Sequence, residues 1–360
     1  MRIIVYKDTF ANQRGADRAV KNFTEALAER GHTVRLVEKP GLNAALNESI
    51  DILIATGSNE AMDLDRLGYF DRPDRARTVL QLHLAPRGFF KWKHPIRNWR
   101  IRRAFNKFDM VQVLCSSYVD EFKRLAPHPQ VITIGNYSDF PAPTTFLPLS
   151  EPEHYHNSRK SVRPKLSNYD KTGSLVRTTP SHTILYPAAT LSNDKSQLLL
   201  IRAFAMLVRE FPAWQVRLLG KDTTKYANAC RTEIARLGVG EQVKIVGFTD
   251  DLAGEYSRAA FIAFPSRLEG FPLAILEAAK FALPTIATTT LPGVVDIVKD
   301  GVTGFVVPGT VPAYAAGLRQ LMTDVGLRRQ MGERARVYCG ERYSREKILD
   351  QWESLLIDIA

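Results

Sequence analysis

Phe264-Pro-Ser-Arg-Leu-Glu-Gly-Phe-Pro-Leu-Ala-Ile-Leu-Glu277 is the stretch on which the reading of the fold turns. Its first residues close a buried strand, Ala260–Phe264, in a Pro-Ser turn, and a helix follows from about Phe271, with Pro272 suited to its first turn. The unpaired backbone N–H groups at such a helix start, just past Gly270, make a site for an anion such as a phosphate. Glu269 stands immediately before the helix and Glu277 lies eight residues further along it. Both carboxylates can border a ligand whose phosphate faces the helix start, and carboxylates accept hydrogen bonds from sugar hydroxyls. On spacing alone a second reading stays open, in which Glu269 complements the helix dipole and Glu277 forms a surface pair.

Outward from this segment, strands and helices alternate. Upstream, Thr183–Tyr186, Gln215–Leu219 and Val243–Val246 read as strands around helices at 197–210 and 223–237; downstream come Pro284–Ala287 and Gly304–Val307. The first part of the chain repeats the scheme. Strand Arg2–Tyr6 precedes a helix with apolar residues at Ala19, Val20, Phe23, Ala26 and Leu27, which Gly31 ends, and further strands lie at Thr33–Val37, Ile52–Ala55, Thr78–Leu82, Met110–Leu114 and Val131–Ile134. Such alternation predicts an α/β protein of parallel, doubly wound sheets. Prolines at 141, 143, 148, 152, 164 and 180, mixed with Ser, His and basic residues, mark a connection. The expected organisation is one Rossmann-like domain over 1–140, a connection over 141–180, a second Rossmann-like domain over 181–340 and a C-terminal helix over 341–360.

The 360 residues carry a net charge of +11, concentrated in two places. Arg87 to Lys107 holds eight basic residues and no acidic one, and Glu151 to Arg177 holds six against three; elsewhere the charge balances. Three scattered cysteines, Cys115, Cys230 and Cys339, spell neither a disulfide framework nor a metal motif. The short apolar start before Lys7 and Asp8 is no signal peptide, and no run approaches the ~18 apolar residues of a membrane span. A cytoplasmic protein is expected, with any membrane contact made at its surface. Asp63-Leu64-Asp65 has the spacing of a divalent-metal motif but no strand before it, and reads as surface charge; no metal is expected.

Glu269 and Glu277 in "PSRLEGFPLAILEAAKFALPTIAT", with "GVVDIVKDGVTGFVVP" downstream, resemble the Glu-x7-Glu block of retaining GT-B glycosyltransferases, specifically glycosyltransferase family 4. The resemblance extends over the chain except the connection. It implies two Rossmann-like domains facing across a cleft, with the C-terminal helix packing back on the first. It further implies a nucleotide diphosphate sugar as donor substrate and no cofactor. Glu269 would hold hydroxyls of the donor sugar, the backbone of Gly270, Phe271, Pro272 and Leu273 would line the sugar and diphosphate, and Glu277 would bind the ribose. Lys195 matches the family's lysine directed at the diphosphate, whereas Thr190 stands where an arginine is usual. Gly220 matches the first glycine of a Gly-x-Gly, and Asp222 replaces the second. Gly15 corresponds to the N-terminal glycine loop, with Arg14 in place of its partner glycine. His83, at the end of an apolar strand, matches the histidine close to the reacting sugar. The resemblance also implies retention of anomeric configuration, with the leaving phosphate helping to deprotonate the acceptor.

The basic segment interleaves its cations with Phe89, Phe90, Trp92, Trp99 and Phe105, and Ile101, Ala104, Phe105 and Phe108 keep a helical spacing. Cations with Trp and Phe suit an interfacial helix on anionic lipid, with Arg97, Trp99, Arg100, Arg102 and Arg103 at the surface. A core-facing stripe with a solvated basic face is the other reading. These observations favour a peripheral membrane glycosyltransferase that moves a hexose-type sugar to a lipid-linked or cell-envelope glycan. A sugar-nucleotide epimerase or hydrolase of the same fold is the alternative. A nucleic-acid-binding module comes last, because one basic segment is unaccompanied by any nucleic-acid motif, and no nucleic acid is expected as partner.

Overall fold

The computed structural model describes residues 1–10, 15–90, 92–143, 145–146, 176–177 and 182–360. Six strands, β1 (Arg2–Tyr6), β2 (Thr33–Val37), β3 (Ile52–Ala55), β4 (Arg77–Gln81), β5 (Met110–Val113) and β6 (Val131–Thr133), pair in parallel in the order β2-β1-β3-β4-β5-β6. A two-residue parallel pair, β7 (Thr145–Phe146) with β8 (Val176–Arg177), comes next. The second sheet, β9 (Thr183–Tyr186), β10 (Gln215–Leu219), β11 (Val243–Gly247), β12 (Phe261–Phe264), β13 (Thr285–Thr288) and β14 (Gly304–Val307), has the order β11-β10-β9-β12-β13-β14. All residues of β3, β9, β12 and β13 are buried, as parallel strands covered by helices on both faces must be. The remainder of the proposed connection at 141–180 lies outside the described residues.

The helices are α1 (Gly15–Glu29), α2 (Leu42–Ala45), α3 (Ser58–Arg66), α4 (Pro95–Phe105), α5 (Ser117–Leu125) and, in the second half, α6 (Gln197–Ala205), α7 (Lys225–Leu237), α8 (Leu252–Arg258), α9 (Leu273–Lys280), α10 (Val311–Thr323), α11 (Val325–Tyr343) and α12 (Arg345–Ile359). Each sheet changes strand direction of progression once, between β1 and β3 and between β9 and β12. Open α/β sheets hold ligands outside the carboxyl ends of strands at such a switch point. The two sheets with their helices form the GT-B arrangement.

The last helix returns to the first domain. Trp352 of α12 packs against Phe23 of α1 with ring centroids 4.7 Å apart and the planes tilted by 49°, and Ile348, Leu349, Leu355 and Leu356 complete an apolar cluster with Ile3, Val5, Ile52 and Ile54. At its rim Arg30 pairs with Asp350 and Glu353 at 2.8 and 2.7 Å.

Two readings made from sequence are corrected. Asp63 is not surface charge: it is buried on α3, where it accepts from the Tyr6 hydroxyl at 2.9 Å and pairs with Lys39 and Arg66 at 2.8 Å each. The helix after Gly270 begins at Leu273 rather than about Phe271, with Pro272, at a non-helical ψ of 80°, as its N-cap.

Candidate functional site

Glu269 and Lys195 come from loops that follow neighbouring strands, β12 and β9. The loops are stitched together: the buried Tyr186 hydroxyl donates to the Lys195 carbonyl at 2.7 Å and meets Ser266 Oγ at 2.9 Å, and the Arg267 amide donates to the Asp194 carbonyl at 2.7 Å. The result is a direct ion pair between Lys195 Nζ and Glu269 Oε1 at the β9/β12 switch point. Eight residues on, Glu277 is buried in α9, so the surface-pair reading fails. One of its oxygens accepts from the Tyr256 hydroxyl at 2.9 Å, and the other from Arg18 Nη2 at 3.0 Å. Burial, and then the Glu277 charge, hold the Tyr256 phenol protonated. No side chain caps the start of α9, so its first amide groups keep the polarity that favours an anion.

The first domain closes onto this loop. A Cβ built on Gly270 would sit 1.9 Å from the His83 carbonyl oxygen and 3.0 Å from Leu84 Cα, so only glycine fits between the domains here. Tyr118 donates its hydroxyl to the Glu269 carbonyl at 2.9 Å, Ser116 Oγ reaches Asp296 at 2.7 Å, and Arg87 donates to the carbonyls of Arg267 and Thr290 at 2.7 and 3.2 Å. His83, one residue beyond Leu82 at the mouth of β4, thereby faces the Glu269–Gly270 loop. Its two ring nitrogens are buried without a hydrogen-bond partner, although the residue as a whole is only partly covered. Burial, and secondarily the nearby Lys7 charge, push its pKa down to about 3. The neutral imidazole thus carries one donor and one acceptor without a partner.

The structure thus pairs Lys195 with Glu269, sets Gly270 against the His83 carbonyl and pairs Glu277 with Arg18 of the first domain. Gly15 opens α1 on the facing side. Pro272 and Leu273 form the start of α9, while the Phe271 ring turns away into the core against Tyr343 at 5.4 Å. Thr190 makes no cationic contribution; it forms a parallel bridge with Lys221 beside Gly220, whose φ of 116° and closeness to the Ala188 carbonyl admit no side chain. Sequence reasoning missed Arg18, Tyr118 and the Lys7–Asp17 pair, 3.2 Å apart beside His83. Among the described residues no group of three His, Cys, Asp or Glu could hold a metal ion. The three cysteines are buried, and burial raises each thiol pKa.

Helix α4 also corrects its sequence reading. The stripe Ile101, Ala104, Phe105 and Phe108 faces the core, as the alternative reading held. Arg97 donates to the Phe89 carbonyl at 3.1 Å, Arg102 to the Leu125 carbonyl at 2.6 Å, and Arg103 lies 3.5 Å from Asp65. Of the residues expected at the surface, Trp99, Arg100, Arg102 and Arg103 are exposed and Arg97 is half-buried; Trp92 and Ile96 join them, so that Trp92, Ile96 and Trp99 are 84, 77 and 59% exposed next to exposed Lys93. Beside them Ser58, Asn59, Gly88, Phe89, His94 and Arg97 line a cleft of about 380 Å³.

Two parallel-sheet domains closed over a paired-carboxylate cleft place the molecule in the GT-B class. Residues 177–338 match the family model "Glycosyl transferases group 1", so the second half of the chain carries a group 1 domain. Alr3699/HepE of Anabaena, solved with UDP, superposes with a TM-score of 0.76 at 18% identity, over 99% of this chain and 100% of that one. Sucrose-phosphate synthase of Thermosynechococcus elongatus does so at 0.75 and 16%, over 99 and 98%. N-acetyl-alpha-D-glucosaminyl L-malate synthase of Bacillus anthracis is 25% identical over 74% of this chain and 64% of its own length. An exopolysaccharide phosphotransferase of Streptomyces coelicolor is 31% identical over 49% of this chain and 19% of its own. The chain therefore spans less than two thirds of the length of these curated relatives.

Proposed function

We propose that the protein is a retaining glycosyltransferase that moves a hexose-type sugar from a nucleotide diphosphate sugar to a hydroxyl of a lipid-linked or cell-envelope glycan. The observation that carries this reading is the Lys195–Glu269 pair at the β9/β12 switch point, with the His83 carbonyl set against the adjoining Gly270. The donor diphosphate lies at the start of α9 with Lys195 turned onto it, so that the charge gathering on the leaving group meets a cation and oriented amides. Glu269 accepts from the sugar hydroxyls and Glu277 from the ribose. Neutral His83 hydrogen-bonds the sugar as its ring flattens toward an oxocarbenium-like state. The acceptor hydroxyl attacks the face from which the phosphate departs, and the phosphate takes its proton.

The acceptor enters from the first domain, where Arg97 and His94 border the cleft beside α4. Trp92, Ile96 and Trp99 then rest in the headgroup layer of an anionic membrane with Lys93 and Arg100 beside them, a peripheral attachment at the cytoplasmic face. Among the described residues no helix is long and apolar enough to cross a membrane. Support for an envelope or polysaccharide role comes from relatives named for capsular polysaccharide biosynthesis in Staphylococcus aureus and poly(glycerol-phosphate) glucosylation in Bacillus subtilis. Incubation with UDP-, GDP- and ADP-sugars and a membrane lipid extract, followed by NMR of the product, tests the reading. A new glycoside with the donor's anomeric configuration is expected. Free sugar or an epimerised nucleotide as sole product, with or without extract, would replace transferase by hydrolase or epimerase.

A further inference from the structure

We propose that Arg18, on the first turn of α1 in the first domain, is a diphosphate-binding residue of the donor site. The inference rests on the donor-site reading above. In this structure Arg18 Nη2 lies 3.0 Å from Glu277 Oε1, and the two side chains differ sharply in setting: that of Glu277 is 4% exposed and that of Arg18 is 55% exposed. A carboxylate so deeply placed needs a compensating charge, because an unpaired buried ion is strongly unfavourable. Arg18 supplies it from outside the second domain, across a sequence separation of 259 residues.

The arrangement repeats that of its neighbour. Glu269 is neutralised by Lys195 and Glu277 by Arg18, so each of the two carboxylates holds one cation. A carboxylate offers about four lone-pair sites, of which Tyr256 and Arg18 occupy two in Glu277, leaving room for two ribose hydroxyls. Ribose on Glu277 thus brings the phosphates of the same ligand to the guanidinium, whose planar fork matches phosphate oxygens and whose charge is permanent. Lys195 alone leaves the leaving group short of positive charge, and the strand-end position Thr190 contributes only a hydroxyl bonded to backbone carbonyls. Arg18 meets the deficit from the opposite domain.

The test compares a nucleoside diphosphate with its nucleoside. Calorimetry with UDP, ADP and GDP on the wild-type protein selects the diphosphate that binds; its nucleoside is then measured by displacement. Arg18→Ala is expected to weaken the diphosphate by about 10-fold or more while changing the nucleoside by less than about 2-fold, since each tenfold step is one lost charge-assisted contact of ordinary size. Arg18→Lys is expected to recover part of the loss. Equal affinity ratios in wild type and Arg18→Ala overturn the proposal and leave the donor site standing. Tighter binding of both ligands in Arg18→Ala overturns it as well, since Arg18 would then only compete for Glu277. Failure of all three diphosphates to bind the wild type overturns the donor-site reading itself.

Discussion

Gly270→Ala probes the contact by which the two domains complete one cleft. The new Cβ would fall 1.9 Å from the His83 carbonyl oxygen, 2.6 Å from its carbon and 3.0 Å from Leu84 Cα. Ordinary non-bonded contacts lie near 3.5 Å, so the nearest pair is short by about 1.5 Å. All three atoms are backbone and none can rotate away; either the domains part or the Glu269–Gly270 loop retreats. Both routes stretch the Tyr118 hydroxyl from the Glu269 carbonyl and shift His83 relative to Glu269. Overpacking of this kind costs about 1–3 kcal/mol, and a misplacement of about 1 Å in a reacting constellation costs roughly 100-fold in rate. Steady-state transfer, or donor hydrolysis without acceptor, should therefore show kcat/KM about 100-fold lower, with the melting temperature down by only a few degrees. Gly240→Ala, whose nearest neighbour is an Ile234 methyl at 3.8 Å, is the control and should be silent. A Gly270→Ala enzyme within twofold of wild type would refute the closure argument.

The buried neutral His83 also sets a pH dependence. Its folded pKa, about 3, lies below the unfolded value near 6.5, so the stability it leaves intact is fully present above pH 6.5 and is lost as pH falls toward 3. Chemical denaturation of wild type and His83→Leu at pH 7 and pH 5 should show the wild type losing more on acidification, at up to about 1.4 kcal/mol per pH unit below 6.5; equal losses would mean that the ring is hydrated. If the exposed aromatic face at α4 docks on lipid as proposed, Trp92→Ser/Ile96→Ser/Trp99→Ser should release the protein from anionic vesicles, whereas Arg102→Gln, whose side chain is spent on the Leu125 carbonyl, should bind as wild type does. Retained binding by the triple variant would contradict the docking face.

Much of the architecture could be read along the chain. Short apolar runs separated by amphipathic helices are what a covered parallel sheet demands, and β1, β2, β3, β9, β10 and β14 fall where that alternation puts them. Glu269 and Glu277 were legible because a strand, a turn and a helix start fix their places within one unit. Arg18 and Tyr118 were not. They reach Glu277 and the Glu269 carbonyl from 259 and 151 residues away, and nothing local marks a side chain whose partner lies on another domain. Helix α4 shows a second limit. Periodicity reveals that Ile101, Ala104, Phe105 and Phe108 share a face, but an apolar face suits a core and a membrane equally; only packing decided, burying that stripe and exposing Trp92 and Ile96 beside the expected Trp99. Asp63 failed for a related reason, since its burial depends on the Tyr6 hydroxyl and two cations that sequence spacing does not bring together.

Lys195 and Glu269 are proposed to hold a nucleotide diphosphate sugar at the β9/β12 switch point. Calorimetric titration of UDP-, GDP- and ADP-sugars into wild type, Lys195→Ala and Glu269→Ala tests it most directly. Binding of at least one donor by the wild type, weakened about tenfold or more in each variant, is the expected result. Equal donor affinity in all three proteins would contradict it.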